Sequence, residues 1–150
     1  MTKKAKRNPY KLKWLQASTL YASLGVLFLT GIFLGWKERL EQETVVWLLQ
    51  LHGYSVPLFL VSFGSILAKH SATAWKGNKN RVSGAVMIGT CLTLILTGVF
   101  LYYVGSESIR EGSRLVHLWT GLFLIALIPW HVIAGLLTRK KSAVKHKSHA

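Results

Sequence analysis

The stretch Leu115 to Thr138 reads LVHLWTGLFLIALIPWHVIAGLLT. At about 1.5 Å of rise per residue, a helix of this length crosses the roughly 30 Å hydrocarbon core of a bilayer. Among residues that are otherwise almost wholly apolar it keeps two histidines, His117 and His131. An ionisable side chain in a membrane span is expensive, so each is expected to face the protein interior and to have a partner there. The two are 14 residues apart. At about 100° per residue that falls about 40° short of four full turns, which puts them on one helix face about 21 Å apart along the axis.

A second stretch, Thr44 to His70, repeats the device with His52 and His70, 18 residues apart. Eighteen residues make about five turns, so these two also share a face, about 27 Å apart. Two helices that each offer one histidine near each end can hold two flat macrocycles stacked across a membrane.

Composition bounds the rest. The chain has 150 residues, 51% of them hydrophobic, and a formal charge of +14. That mixture is too apolar and too basic for an ordinary soluble domain and fits a membrane protein with charged ends. The single cysteine, Cys91, lies inside an apolar run, which excludes a disulfide framework or thiolate cluster and suits a small core residue. The basic residues gather in Met1 to Lys13, Lys69 to Arg81 and Arg139 to Lys147, just outside the apolar runs. Membrane topology explains that placement better than nucleic-acid binding does.

In chain order, residues 1–13 form a basic cytoplasmic arm that Pro9 keeps from being one continuous helix. The run Leu15 to Trp36 is longer than a signal-peptide core and ends without a small-x-small cleavage site, so it is the first span, with Trp14 and Trp36 as interfacial anchors. A short mixed-charge link, Lys37 to Glu43, leads to the second span, Thr44 to about His70. Gly77 and Asn78 then break the helix, and Val82 to Val104 is the third span. Gly105 to Arg114 is the next link, Leu115 to Thr138 the fourth span, and 139–150 a basic, mobile cytoplasmic tail. Residues 14–138 thus make one membrane domain, an all-α four-helix bundle. Lysine and arginine are concentrated in the arm, the second link and the tail, while the first and third links hold two each, offset by acids. The positive-inside rule then places both termini in the cytoplasm, with His52 and His117 towards the outer face and His70 and His131 towards the inner.

A neutral imidazole is a strong axial ligand for haem iron, and bis-histidine ligation leaves no open coordination position, which suits electron transfer. Four-helix bundles build cofactor sites from side chains on facing helices. Two haem b groups are therefore expected, one held by His52 and His117 and one by His70 and His131. His70 is the weakest member, because it follows Lys69 at the boundary where solvated histidines are common. The bland alternative is four histidines hydrogen-bonded to carbonyls or sitting at interfaces. One histidine would fit that well; four, paired by face and by side, fit it poorly.

The His117-x13-His131 spacing, matched by two histidines on another helix, resembles the di-haem membrane cytochromes b. That group includes the b subunit of the quinol–cytochrome c oxidoreductase and the smaller haem b subunits of formate dehydrogenase and hydrogenase type. In the first of these, non-ligating helices carry glycines 14 apart where the porphyrins pass close to backbone. The third span here has Gly84 and Gly98, also 14 apart. Helix packing through small residues is the alternative use of those glycines. The resemblance covers residues 15 to 138 and rests on this pattern. It departs from the formate dehydrogenase type, in which one ligand comes from the first helix, because Leu15 to Trp36 contains no histidine. The span-two pair is also about 6 Å more widely spaced than the span-four pair, a difference that tilt or a bulge at Pro57 would absorb.

Further candidates are weaker. Arg110 and Arg114 could pair with haem propionates on the outer side, and Lys76, Lys79, Arg81 or Arg139 on the inner side. Topology and lipid head groups account for each of them equally well. Trp119 and Trp130 could pack on the rings, whereas His146 and His149 sit in the tail. By resemblance, electrons would pass between the membrane quinone pool and a redox partner protein or subunit, in a multi-pass protein of a bacterial cytoplasmic membrane. The lipid bilayer and a second copy of the chain complete the expected partners. The rival class is a haem-free four-span anchor or small transporter subunit. The spans carry no carboxylate to relay protons, since Glu38, Glu41, Glu43, Glu107 and Glu111 all lie in links, and this counts against transport.

Overall fold

The computed structural model describes residues 14–77 and 80–147, apart from the side chains of Lys69 and of Arg139 onward. The arm Met1 to Lys13, Lys79, the Arg139 side chain and the tail histidines His146 and His149 therefore lie outside the described residues. The described residues are all-α, with four helices long and apolar enough to cross a membrane.

These helices form two units, residues 1–77 and 78–150. In the first, α1 (Trp14–Gly35) turns through a short 3₁₀ segment, Lys37–Arg39, and packs against α2 (Gln42–Ile66). A π-turn, Leu67–Ser71, and the short α3, Ala72–Lys76, follow. In the second, α4 (Arg81–Tyr103) packs against α5 (Glu107–Lys147). Each unit is thus an antiparallel helical hairpin.

The span boundaries expected from hydropathy hold to within a residue or two for α1 and α4. Two elements differ. The fourth helix begins at Glu107, eight residues before the apolar run, and continues through the expected tail to Lys147. Glu107 with Arg110 and Glu111 with Arg114 form i,i+3 ion pairs of 2.7 and 2.6 Å, which support helix in a segment whose polarity suggested a link. In the second helix, α2 runs through Pro57, and the irregularity lies ten residues further on, in the π-turn that carries His70. A π-turn widens the helix locally and changes the direction of every side chain beyond it.

The packing inside each hairpin combines a few buried apolar residues, Val45 and Phe59 in the first and Cys91, Leu124 and Leu127 in the second, with small hydroxyl residues. Ser23, Thr30, Ser55 and Ser62 are buried in the first, and Ser83, Thr90 and Ser113 in the second. A hydroxyl in an apolar span needs a local partner. Thr30 donates to Val26 O, Ser55 to Leu51 O and Thr90 to Val86 O, each within 2.8 Å. Small side chains let the helix backbones approach, as expected where lipid supplies little hydrophobic drive between helices. The large apolar side chains, among them Phe33, Val61, Tyr103, Phe123 and Ile133, are exposed, and so are Trp14 and Trp36 at the ends of α1. Such a surface suits lipid.

Candidate functional site

Three of the four intramembrane histidines stand in the same local setting. His52 of α2 directs Nδ1 at the Thr30 hydroxyl of α1, 2.8 Å away. His117 of α5 directs Nδ1 at Thr97 of α4 at 2.9 Å, and His131 of α5 directs Nδ1 at Ser83 of α4 at 3.0 Å. In each case the hydroxyl residue is followed by a glycine: Thr30-Gly31, Thr97-Gly98 and Ser83-Gly84. Each glycine lies against the same histidine. A Cβ built on Gly31 would stand 3.7 Å from His52 Cε1, one on Gly98 3.6 Å from His117 Cε1, and one on Gly84 4.0 Å from His131 Cε1. The missing side chain thus keeps open the flank of the ring where Cε1 joins Nδ1 to Nε2.

The hydroxyl accounting sets the direction of the hydrogen bonds. A threonine hydroxyl has one proton. Thr97 gives its proton to the Thr93 carbonyl at 2.7 Å, with Leu94 O at 3.2 Å. Thr30 gives its own to Val26 O at 2.7 Å, with Leu27 O at 3.2 Å. What each hydroxyl offers its histidine is therefore a lone pair, and His52 and His117 donate Nδ1–H. Ser83 has the corresponding carbonyl contact, to Asn80 O, at 3.4 Å, longer than its 3.0 Å contact to His131 Nδ1. An imidazole that carries its proton on Nδ1 carries its basic lone pair on Nε2. Anchoring one nitrogen to fix the tautomer and ring orientation of the other is the usual arrangement of a metal-ligating histidine.

His70 is set differently. It lies half-buried in the π-turn, beyond the end of α2. Near that end of the hairpin, Gln16 of α1 donates to the Ser65 hydroxyl at 3.4 Å. His52 and His70 belong to the first unit, and His117 and His131 to the second.

Gly84 and Gly98, singled out by their spacing, are each brought against a histidine, His131 and His117 respectively. Gly31 was missed, and so were Thr30, Ser83 and Thr97. A signal for them is present in the sequence: LTGIFL at 29–34 recurs as LTGVFL at 96–101. Arg110 and Arg114 are paired with Glu107 and Glu111 one turn away on their own helix. Trp119 is well exposed and Trp130 is about half-exposed. At the far end of the second hairpin, Asn80 takes the left-handed conformation, φ 55°, just before α4, a conformation that asparagine tolerates well. Its amide nitrogen rests 3.4 Å from the position of a Cβ on Gly135 of α5, which seats the start of α4 on α5.

Among the described residues no three His, Cys, Asp or Glu side chains gather as ligands for a bare metal ion. A free ion commonly takes three or four protein ligands, whereas iron in a porphyrin already has four nitrogens and asks the protein for two. No family model, curated protein or solved structure matches the chain.

Proposed function

We propose that the chain is a di-haem b electron-transfer protein of the membrane. The observation that carries this is the repeated trio of hydroxyl, glycine and Nδ1-anchored histidine at His52, His117 and His131. The trio does for each ring what an axial ligand requires. The hydroxyl fixes the tautomer, the helix pairing fixes the ring direction, and the glycine leaves the flank of the ring open to a flat group.

In this reading His52 and His117 are the ligands of the outer haem, and His70 and His131 those of the inner. When bound, the haem supplies one-electron Fe(III)/Fe(II) chemistry. The protein's share is to hold two neutral imidazoles rigidly, so that little rearranges when charge arrives, and to keep water and exogenous ligands away. Thr30 and Thr97 hold the Nδ1 proton, which strengthens the donation from Nε2. Within each hairpin, small residues let the two helices approach closely.

The positive-inside bias supports both termini in the cytoplasm; by the resemblance to the di-haem cytochromes b, electrons would pass between the quinone pool and a redox partner protein at a bacterial cytoplasmic membrane. Arg110 and Arg114, at the outer ends, are candidates for propionate partners, in exchange with their glutamates. Purification tests the reading directly. Protein made with haem supplied should be red, show a b-type α-band on reduction and contain two haems per chain by pyridine haemochrome. A colourless protein of normal helicity would replace this reading with that of a haem-free anchor.

A further inference from the structure

The two hairpins correspond at a set of matching positions. In the first helices the offset is 67: Gln16, Ser23 and Thr30 correspond to Ser83, Thr90 and Thr97, and Gly31 to Gly98. Of these, Ser23 and Thr90 are both buried, and Thr30 and Thr97 make the same two hydrogen bonds. In the second helices the offset is 65: His52 corresponds to His117, and buried Phe59 and Ser62 to buried Leu124 and Leu127.

Carried on, the same offset sets Ile66 against His131, so position 66 lies 14 residues after His52, as His131 lies 14 after His117. On the facing helix, Gln16 and Ala17 stand where the second hairpin has Ser83 and Gly84. One of four equivalent sites has thus lost all three members of its trio. A histidine appears instead four residues along, His70, and α-helical geometry gives way to a π-turn at the residue after Ile66. Four residues are about one turn, or about 6 Å of rise.

Resting on the di-haem reading above, we infer that the hairpins are two copies of one haem-ligating half, and that in the first copy the inner ligand has moved from position 66 to His70. The π-turn is the structural trace of that move. π-bulges are frequent at functional sites because they redirect side chains without breaking the helix. The inner haem is then held by two unlike ligands: His131, anchored by Ser83 beside Gly84, and His70, supplied from a π-turn. The outer haem is held by two alike. The two haems should for this reason differ spectroscopically.

The test moves the ligand back. In full-length protein made with haem supplied, wild type should hold two haems and His70→Ala one. Ile66→His combined with His70→Ala should return to two, either alone or after adding Gln16→Ser and Ala17→Gly to rebuild the trio. The regained haem should show a low-spin EPR signal shifted towards that of the outer haem. Ile66→His by itself keeps every native ligand and guards against a folding failure; it should hold two haems. A wild type without haem removes the di-haem reading and the inference with it. A wild type with two haems overturns the inference alone if His70→Ala also keeps two. So does a single haem in both position-66 combinations.

Discussion

The Thr97 hydroxyl stands 2.9 Å from His117 Nδ1 while giving its own proton to the Thr93 carbonyl at 2.7 Å. A methyl in its place would remove that acceptor from the ring in an apolar span and would loosen its orientation. Thr97→Val, nearly the same in shape, should therefore weaken haem binding at that site about 10- to 100-fold, the usual cost of losing a partner that orients a ligand. Thr30→Val should act in the same way on the same haem, through His52. Titration of haem into haem-depleted protein measures this, and unchanged affinity in both variants would show that the hydroxyls only pack.

Replacing His52 or His117 with Ala should remove one haem equivalent and spare the other, because the two sites share helices and not ligands. Pyridine haemochrome analysis of each variant gives the count. Two equivalents in both variants would defeat the assignment.

Gly98 separates a packing role from a cofactor role. Without a bound ring, Gly98→Ala places a methyl at an ordinary contact distance, 3.6 Å from His117 Cε1, and removes a helix-interior glycine worth roughly 0.5–1 kcal/mol. Haem-free protein should thus melt no lower than wild type. Haem occupancy should nevertheless fall, and fall further in Gly98→Leu. Full occupancy in the leucine variant would return the glycine to helix packing.

Topology is open to a reporter that is active only outside the cytoplasm. Fused after Ala150 it should be silent, and inserted near Ser106 it should be active. The reverse pattern would invert the outer and inner labels of the two sites.

The four long helices were legible because an apolar run of more than 20 residues has few folded alternatives, and α1 and α4 end where their runs end. The helical start of α5 was hidden by its charge. Polarity at Glu107 to Arg114 suggested a link, although ion pairs one turn apart support a helix equally well. The histidines were legible because ionisable groups are rare in spans. Their hydroxyl partners were not, because serine and threonine are ordinary in such helices and only the antiparallel pairing brings Thr30 to His52, 22 residues later. The π-turn at Leu67–Ser71 left no mark in hydropathy, since Leu67 and Ala68 continue the apolar run.

The interval between His117 and His131 on α5 also fixes an electrical quantity. Their separation, about 21 Å, is roughly two thirds of the hydrocarbon thickness. A charge crossing the whole membrane exchanges about 2.3 kcal/mol with every 100 mV of potential, so an electron moving between the two histidine levels exchanges about 1.6 kcal/mol. If the chain carries two haems as proposed, traffic between the sites would be a voltage-dependent current, sped by the field of an energised cell in one direction and opposed in the other.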